Sequence, residues 1–174
     1  MIHDARMGHF VASLPVPHVP ADTRYLAAGP ITIGVEYRVF DPVAEAAKLT
    51  PAEIEAAGPD ALFGRDDPDK GVCLHVFATE GLAEYLRFDC FESEPHYHYI
   101  VPSEGNMLVH FDPVANGPML DWALTALRTR LGLMLGEVGA ASLAAAVEAS
   151  RLAAVLDEAE AVARAALLGT SAGG

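Results

Sequence analysis

Residues 71–112 read GVCLHVFATEGLAEYLRFDCFESEPHYHYIVPSEGNMLVHFD, four alternating runs separated by short polar breaks. Side chains two apart on a strand share a face of the sheet. Val72, Leu74 and Val76 therefore lie on one side of the first run, and Cys73, His75 and Phe77 on the other. In the second run Leu86, Phe88 and Cys90 alternate with Tyr85, Arg87, Asp89 and Phe91. In the third, Tyr97, Tyr99 and Val101 alternate with His96, His98 and Ile100. In the last, Met107, Val109 and Phe111 alternate with Leu108, His110 and Asp112. One face is apolar, while the other gathers four His, two Asp and an Arg. Packing alone does not demand such a face, and function is expected there.

The short connections favour an antiparallel meander of hairpins. Register follows from making the apolar faces coincide. A four-residue loop from Glu92 to Pro95 sets Asp89 opposite His98 and Phe91 opposite His96. A three-residue loop, Ser103-Glu104-Gly105 with Gly105 left-handed, then sets His98 opposite His110 and His96 opposite Asp112. For the first hairpin two registers fit, with His75 facing either Arg87 or Tyr85.

Outward from this core, ITIGVEYRVF (31–40) also alternates, with Gly34, Glu36, Arg38 and Phe40 on its polar side, and ends at Asp41-Pro42. Residues 43–49 allow two helical turns, and Thr50-Pro51-Ala52-Glu53 carries the signature of a helix start, stopped at Gly58-Pro59. Residues 59–71 form a polar loop bordering the sheet. After Asn116-Gly117-Pro118, Leu120, Leu124, Leu127, Leu131, Leu135 and Val138 keep helical spacing, which predicts one helix of about 20 residues ending at Gly139. Ser142 can cap a second, alanine-rich helix running to Leu168. The expected class is α+β: an antiparallel meander of about five strands, either open or curled toward a barrel. Its long C-terminal helices pack on the sheet or form a dimer interface. Three segments follow: an arm over 1–30 marked by Pro15, Pro17, Pro20 and Pro30, an α+β catalytic or binding domain over 31–138, and a helix and tail over 139–174.

The 174 residues suit one well-buried domain. A hydrophobic share of 52% and a mean hydropathy of +0.25 exclude disorder. A net charge of −13 and a pI near 4.7 oppose nucleic acid and anionic membranes as partners. No apolar run approaches the roughly 20 residues of a membrane span, and MIHDARMGHF lacks the pattern of a secretory signal. Cys73 and Cys90 fall on opposite faces, which predicts reduced thiols in a cytoplasmic protein. The alanine content suggests a bacterial source.

On the expected register Asp89, His98 and His110 sit on three neighbouring strands, with directly opposed Cβ atoms about 4.5–5.5 Å apart. Two imidazoles and a carboxylate could converge on one divalent ion and leave positions open for water or substrate. Zn, Fe, Mn and Ni all fit such a donor set. His96 is then a third ligand or an outer base paired with Asp112, and His96 or His75 moves a proton. Arg87 orients an anionic organic substrate, while Arg38, Glu36 and Tyr99 complete its binding. HYHYIVPSEG shares the His-X-His of the first cupin motif but departs from its glutamate spacing and leading glycine, and the second motif is absent, so it assigns no family.

Three functions remain open on this reading. The first is a small metal-dependent enzyme acting on a small anionic molecule. The second keeps the pocket without metal and uses a His–Asp pair for the proton transfers of an isomerase, lyase or cyclase. The third is a non-enzymatic homodimeric binding module. A homodimer is the expected assembly. Cys73 beside His75 reads as a small buried thiol rather than a nucleophile.

Overall fold

The computed structural model describes residues 10–13, 16–52, 55, 67–102 and 105–171. Seven strands form one open antiparallel sheet: β1 (Phe10–Ser13), β2 (Thr23–Ala28), β3 (Ile31–Phe40), β4 (Asp69–Ala78), β5 (Glu84–Phe91), β6 (His96–Val101) and β7 (Gly105–His110). Their spatial order is β1-β7-β6-β5-β4-β3-β2, a six-strand meander from β2 to β7 with β1 added beside β7. The sheet therefore exceeds the expected five strands, because two segments of the N-terminal arm pair into it. TRYLAA (23–28) is one of them, its Leu26 and Ala28 buried on the apolar side.

Around the sheet stand α1 (Pro42–Ala46), α2 (Pro113–Asn116), α3 (Met119–Thr129), α4 (Leu131–Glu137), α5 (Ala141–Ala145) and α6 (Ala149–Ser171). The expected helix after Pro118 breaks at Arg130, whose backbone leaves helical geometry (φ −129°, ψ 1°) just before the helix-weakening Gly132. The alanine-rich helix is likewise divided into α5 and α6. The helix proposed from Thr50 and the polar loop after it lie largely outside the described residues. None of the described helices is long and apolar enough to cross a membrane.

The two faces of the sheet separate as the alternation predicts. The apolar side carries Ile33, Val35, Val72, Leu74, Val76, Leu86 and Phe88, all buried beneath the C-terminal helices. Leu156, Ala159 and Ala163 of α6 are fully buried, and their small size lets the helix lie close on the sheet. Trp122 of α3 completes the layer, its ring 5.0 Å from Phe111 and 5.1 Å from Tyr97. With each apolar side chain worth roughly 1.5–3 kcal/mol when fully buried, this layer drives folding. It leaves the opposite face free to carry charge.

Both later hairpins are shifted by two residues from the expected register. Asp89 pairs with His96 rather than His98, and Arg87 pairs with His98. His96 then pairs with His110 and His98 with Leu108, not His98 with His110. An even shift preserves every face. Its cause in the first case is Asp69, whose carboxylate accepts from the backbone N–H groups of Ser93 (3.1 Å) and Glu94 (2.8 Å). That draws the turn toward β4 and ends the β5–β6 ladder at Asp89. In the second case the ladder runs to Val101 opposite Gly105, so Gly105, at φ +145°, opens β7 instead of sitting inside the turn. The first hairpin takes the alternative with His75 facing Arg87.

A bulge between Val76 and Phe77 makes one further change, pairing Phe77 with Glu84 and skipping Tyr85. Tyr85, expected on the polar face, instead packs against the apolar cluster, and Glu84 takes its place.

Candidate functional site

The polar face is a buried layer of charge. Glu36 and Arg38 come from β3, Cys73 and His75 from β4, Glu84, Arg87 and Asp89 from β5, His96 and His98 from β6, and Asn106 from β7. Glycine at position 34 makes room for the rings in this layer, since a Cβ there would lie 2.8 Å from the Phe77 ring. Residues 16–19, ahead of β2, pass over the face and form a strap. Arg87 donates to the Val16 carbonyl at 2.5 Å and Arg38 to the Pro17 carbonyl at 2.8 Å. His18 sets its ring 4.8 Å from Phe77 and 5.7 Å from His75, with Nε2 2.7 Å from the Tyr25 hydroxyl. Burial, reinforced by His75 and Arg87, lowers the His18 pKa against the opposing pull of Glu84 and Glu36.

In the half of the face nearer β3, every carboxylate has a guanidinium. Arg38 grips Glu36 through Nε and Nη2, both at 3.1 Å. Arg87 grips Glu84 through Nε at 2.8 Å and Nη2 at 2.6 Å. Burial alone would raise the Glu84 pKa, but Arg87 and His75 overcome it and hold the carboxyl at about 2. Glu36 is lowered in the same manner, by His75 and Arg38 against burial. His75 is fully buried between these acids, with Nδ1 2.7 Å from Glu84 Oε1 and Nε2 3.3 Å from Glu36 Oε2. That Nε2 makes no hydrogen bond.

The other half is built differently. Asp89 is 3% exposed, and among the described residues no guanidinium hydrogen-bonds it. Its Oδ2 lies 3.2 Å from His96 Nε2 and 3.0 Å from His98 Nε2, and its Oδ1 is buried without a partner. Each imidazole is oriented from behind: His96 Nδ1 is 2.7 Å from the Glu94 carbonyl oxygen, and His98 Nδ1 is 2.8 Å from Asn106 Oδ1. The Glu94 carbonyl can only accept, so His96 Nδ1 carries a proton. His98 hydrogen-bonds Asp89 Oδ2 through Nε2, and the two rings converge on that one oxygen. Burial lowers the His96 pKa, but the Asp89 contact and the Glu94 carbonyl carry it above its ordinary value. In His98 burial prevails and the pKa falls. Burial would raise the Asp89 pKa, yet the two imidazoles hold it well below the usual carboxylate range.

Donor atoms of Asp89, His96 and His98 all lie within 4.8 Å of one another. Metal bonds of about 2.0–2.2 Å at tetrahedral angles put neighbouring donors roughly 3.3–3.5 Å apart, close to the carboxylate–imidazole separations seen here. An outward Nδ1–H held by an acceptor is the usual second contact of a metal-binding histidine. The trio thus has the chemistry of a two-histidine, one-carboxylate centre.

Set against the sequence, the face brings together Glu36, Arg38, His75, Arg87, Asp89, His96, His98 and His110. The register shift changes their grouping. His96 joins Asp89 and His98, whereas His110 is the strand partner of His96 and lies outside that trio. Asp112, expected opposite His96, instead caps α2 by accepting from the N–H groups of Val114 and Ala115. Tyr99 points to the apolar side and packs against the core, so it does not share the face. Cys73 is buried beside Asp89; burial and that carboxylate push its thiol well up, which excludes a thiolate nucleophile. Cys90 lies on the other side, also pushed up by burial, and both cysteines are free. Sequence reasoning missed Glu84, Asn106 and the strap. Asn106 was within reach, since it alternates in phase with His110, but a bulge and a peptide crossing leave no periodic trace.

A family model described as "Domain of unknown function (DUF7700)" matches residues 25–164, most of the chain and the whole polar face. The chain belongs to that family. No curated protein and no solved structure shows a significant match.

Proposed function

We propose that this member of the family binds a divalent metal ion on Asp89, His96 and His98 and uses it as a metal-dependent enzyme on a small anionic organic molecule. The observation that carries this reading is the convergence of two imidazole Nε2 atoms on one oxygen of a buried carboxylate whose other oxygen makes no hydrogen bond. A dication between these groups would take one bond from each of the three. Three protein ligands leave further positions for water or substrate, where the ion would polarise a bound oxygen. His75, oriented by Glu84 and facing Glu36, supports a role in moving a proton across the adjacent half of the face.

Metal analysis of tag-free protein, before and after chelation, tests the centre. The expected result is about one zinc, iron, manganese or nickel ion per chain, lost on chelation and absent in His98→Ala. Unchanged metal content and stability in that variant would sink the proposal. The buried Glu36–His75–Glu84 array favours one second reading, acid–base chemistry without metal. In that case turnover would survive chelation and disappear in His75→Gln.

A further inference from the structure

The strap holds positions that a ligand of the metal centre would need. It contacts Arg38 and Arg87 through backbone carbonyls alone, so those guanidiniums lend one N–H each to a neutral oxygen while their other donors grip Glu36 and Glu84. Arg87 is the strand partner of His98, which places its guanidinium beside any group bound at Asp89, His96 and His98.

The donors themselves give the chemical class of that ligand. Arg87, a permanent cation, spends one N–H on the neutral Val16 carbonyl, where an anionic oxygen would make a stronger, charge-assisted bond. A divalent ion nearby would add positive charge, and a monocarboxylate fits both, with one oxygen available to the metal and the other to the Arg87 N–H now given to Val16. The strap's remaining anchors suit a reversible cover: Thr23 Oγ1 donates to the Val19 carbonyl at 2.8 Å, the Val19 N–H donates weakly to Glu36 at 3.4 Å, and the His18 ring rests against Phe77.

We infer that residues 16–19 are a displaceable lid, whose Val16 carbonyl occupies on Arg87 the place taken by a small carboxylate when it binds the metal centre, with the Pro17 carbonyl on Arg38 as a second anchor that opens with it. The inference rests on the metal reading above. A lid that must open lowers the apparent affinity by the fraction of time it is open.

The test uses the full chain, zinc and glycolate as the probe. Hydrogen exchange is followed at the His18 and Val19 amides while glycolate is titrated into zinc-loaded protein. Exchange there is expected to rise at least tenfold, with the amides of β3 and β4 unchanged. His18→Ala and Thr23→Val, which loosen the strap, should each tighten glycolate binding by about tenfold at unaltered zinc stoichiometry. If zinc and glycolate bind but strap exchange and variant affinities stay the same, the lid is overturned and the metal centre stands. If zinc binds and glycolate does not, even in the loosened variants, the carboxylate assignment is overturned. Failure of zinc to bind at all overturns both.

Discussion

The polar face has two halves that solve the burial of charge in opposite ways. Toward β3, each carboxylate is matched by a guanidinium with two donors on it, and the array is electrically complete. Toward β7, one buried carboxylate is faced by two imidazoles and the Cys73 thiol, and its Oδ1 makes no hydrogen bond. Buried charge is tolerated when it is paired and hydrogen-bonded and is otherwise costly. The first half is thus charge-matched at its carboxylates, although His75 Nε2 is buried there without a hydrogen bond. The second sets titratable imidazoles, rather than a permanent cation, against its carboxylate, and that contrast makes it the better candidate site.

The contrast breaks most sharply if the first half is opened. Arg87→Met keeps most of the side-chain volume but leaves Glu84 buried without its cation. A loss of about 3–5 kcal/mol in urea unfolding is expected near neutral pH. Glu84 then has a raised pKa in the folded variant, so the variant should gain stability, relative to the parent, as the pH is lowered. A parent-like stability would mean that the charge pairing of this half has been overstated.

Acid reads the same half without mutation. Glu84 sits at about 2 in the folded chain against an ordinary value of 4.5. Its folded pKa is depressed, so its stabilisation is fully present above about pH 4.5 and is lost as pH falls toward 2. The depression corresponds to about 3 kcal/mol. Glu84→Gln should remove that part of the acid sensitivity, visible as a smaller drop in urea midpoint between about pH 5 and 3. Equal drops in both proteins would assign the acid sensitivity elsewhere.

Asp69 tests the second half at one remove. Its carboxylate fixes the Ser93–Glu94 turn, and the Glu94 carbonyl in turn orients His96. Asp69→Asn weakens that clamp while leaving all three candidate ligands in place. A roughly tenfold loss of zinc affinity is expected, at the low end for groups behind metal ligands. The measurement is competition against a chromogenic chelator, with stoichiometry kept at one. No change in affinity would separate the turn from the centre.

Much of this face was legible because alternation is a two-residue code that tolerates error. The register expected for β5–β6 and β6–β7 differs from the observed one by two residues, yet every His and Asp of those strands before Asp112 lies on the expected side. What did not survive was the identity of neighbours, since His110 and His96 exchange places when the ladder slides. The slide depends on Asp69, some 20 residues before the turn it pins, and a hairpin read from loop length alone cannot include it. Glu84 was hidden by the bulge after Val76, which reverses the parity of the strand at its start. The strap was hidden for another reason: it acts through carbonyls, which every sequence possesses. The break at Arg130 and the division of the last helix similarly lie below the resolution of an apolar stripe.

The smallest expected effect lies outside the face and calibrates the rest. Arg24 of β2 meets Glu158 of α6 at 2.6 Å, a shorter contact than most of those around Asp89 or Glu36. Its side chains, however, are 58% and 49% exposed. In water-rich surroundings the attraction is screened and offset by the cost of ordering two long side chains. Arg24→Ala should therefore change stability by about 0.5 kcal/mol or less, and added salt should erase even that. The comparison with Arg87 then turns on burial, because both contacts are a guanidinium and a carboxylate at 2.6 Å. An Arg24→Ala loss approaching that of Arg87→Met would mean that distance, and not enclosure beneath the strap, sets the strength of these pairs.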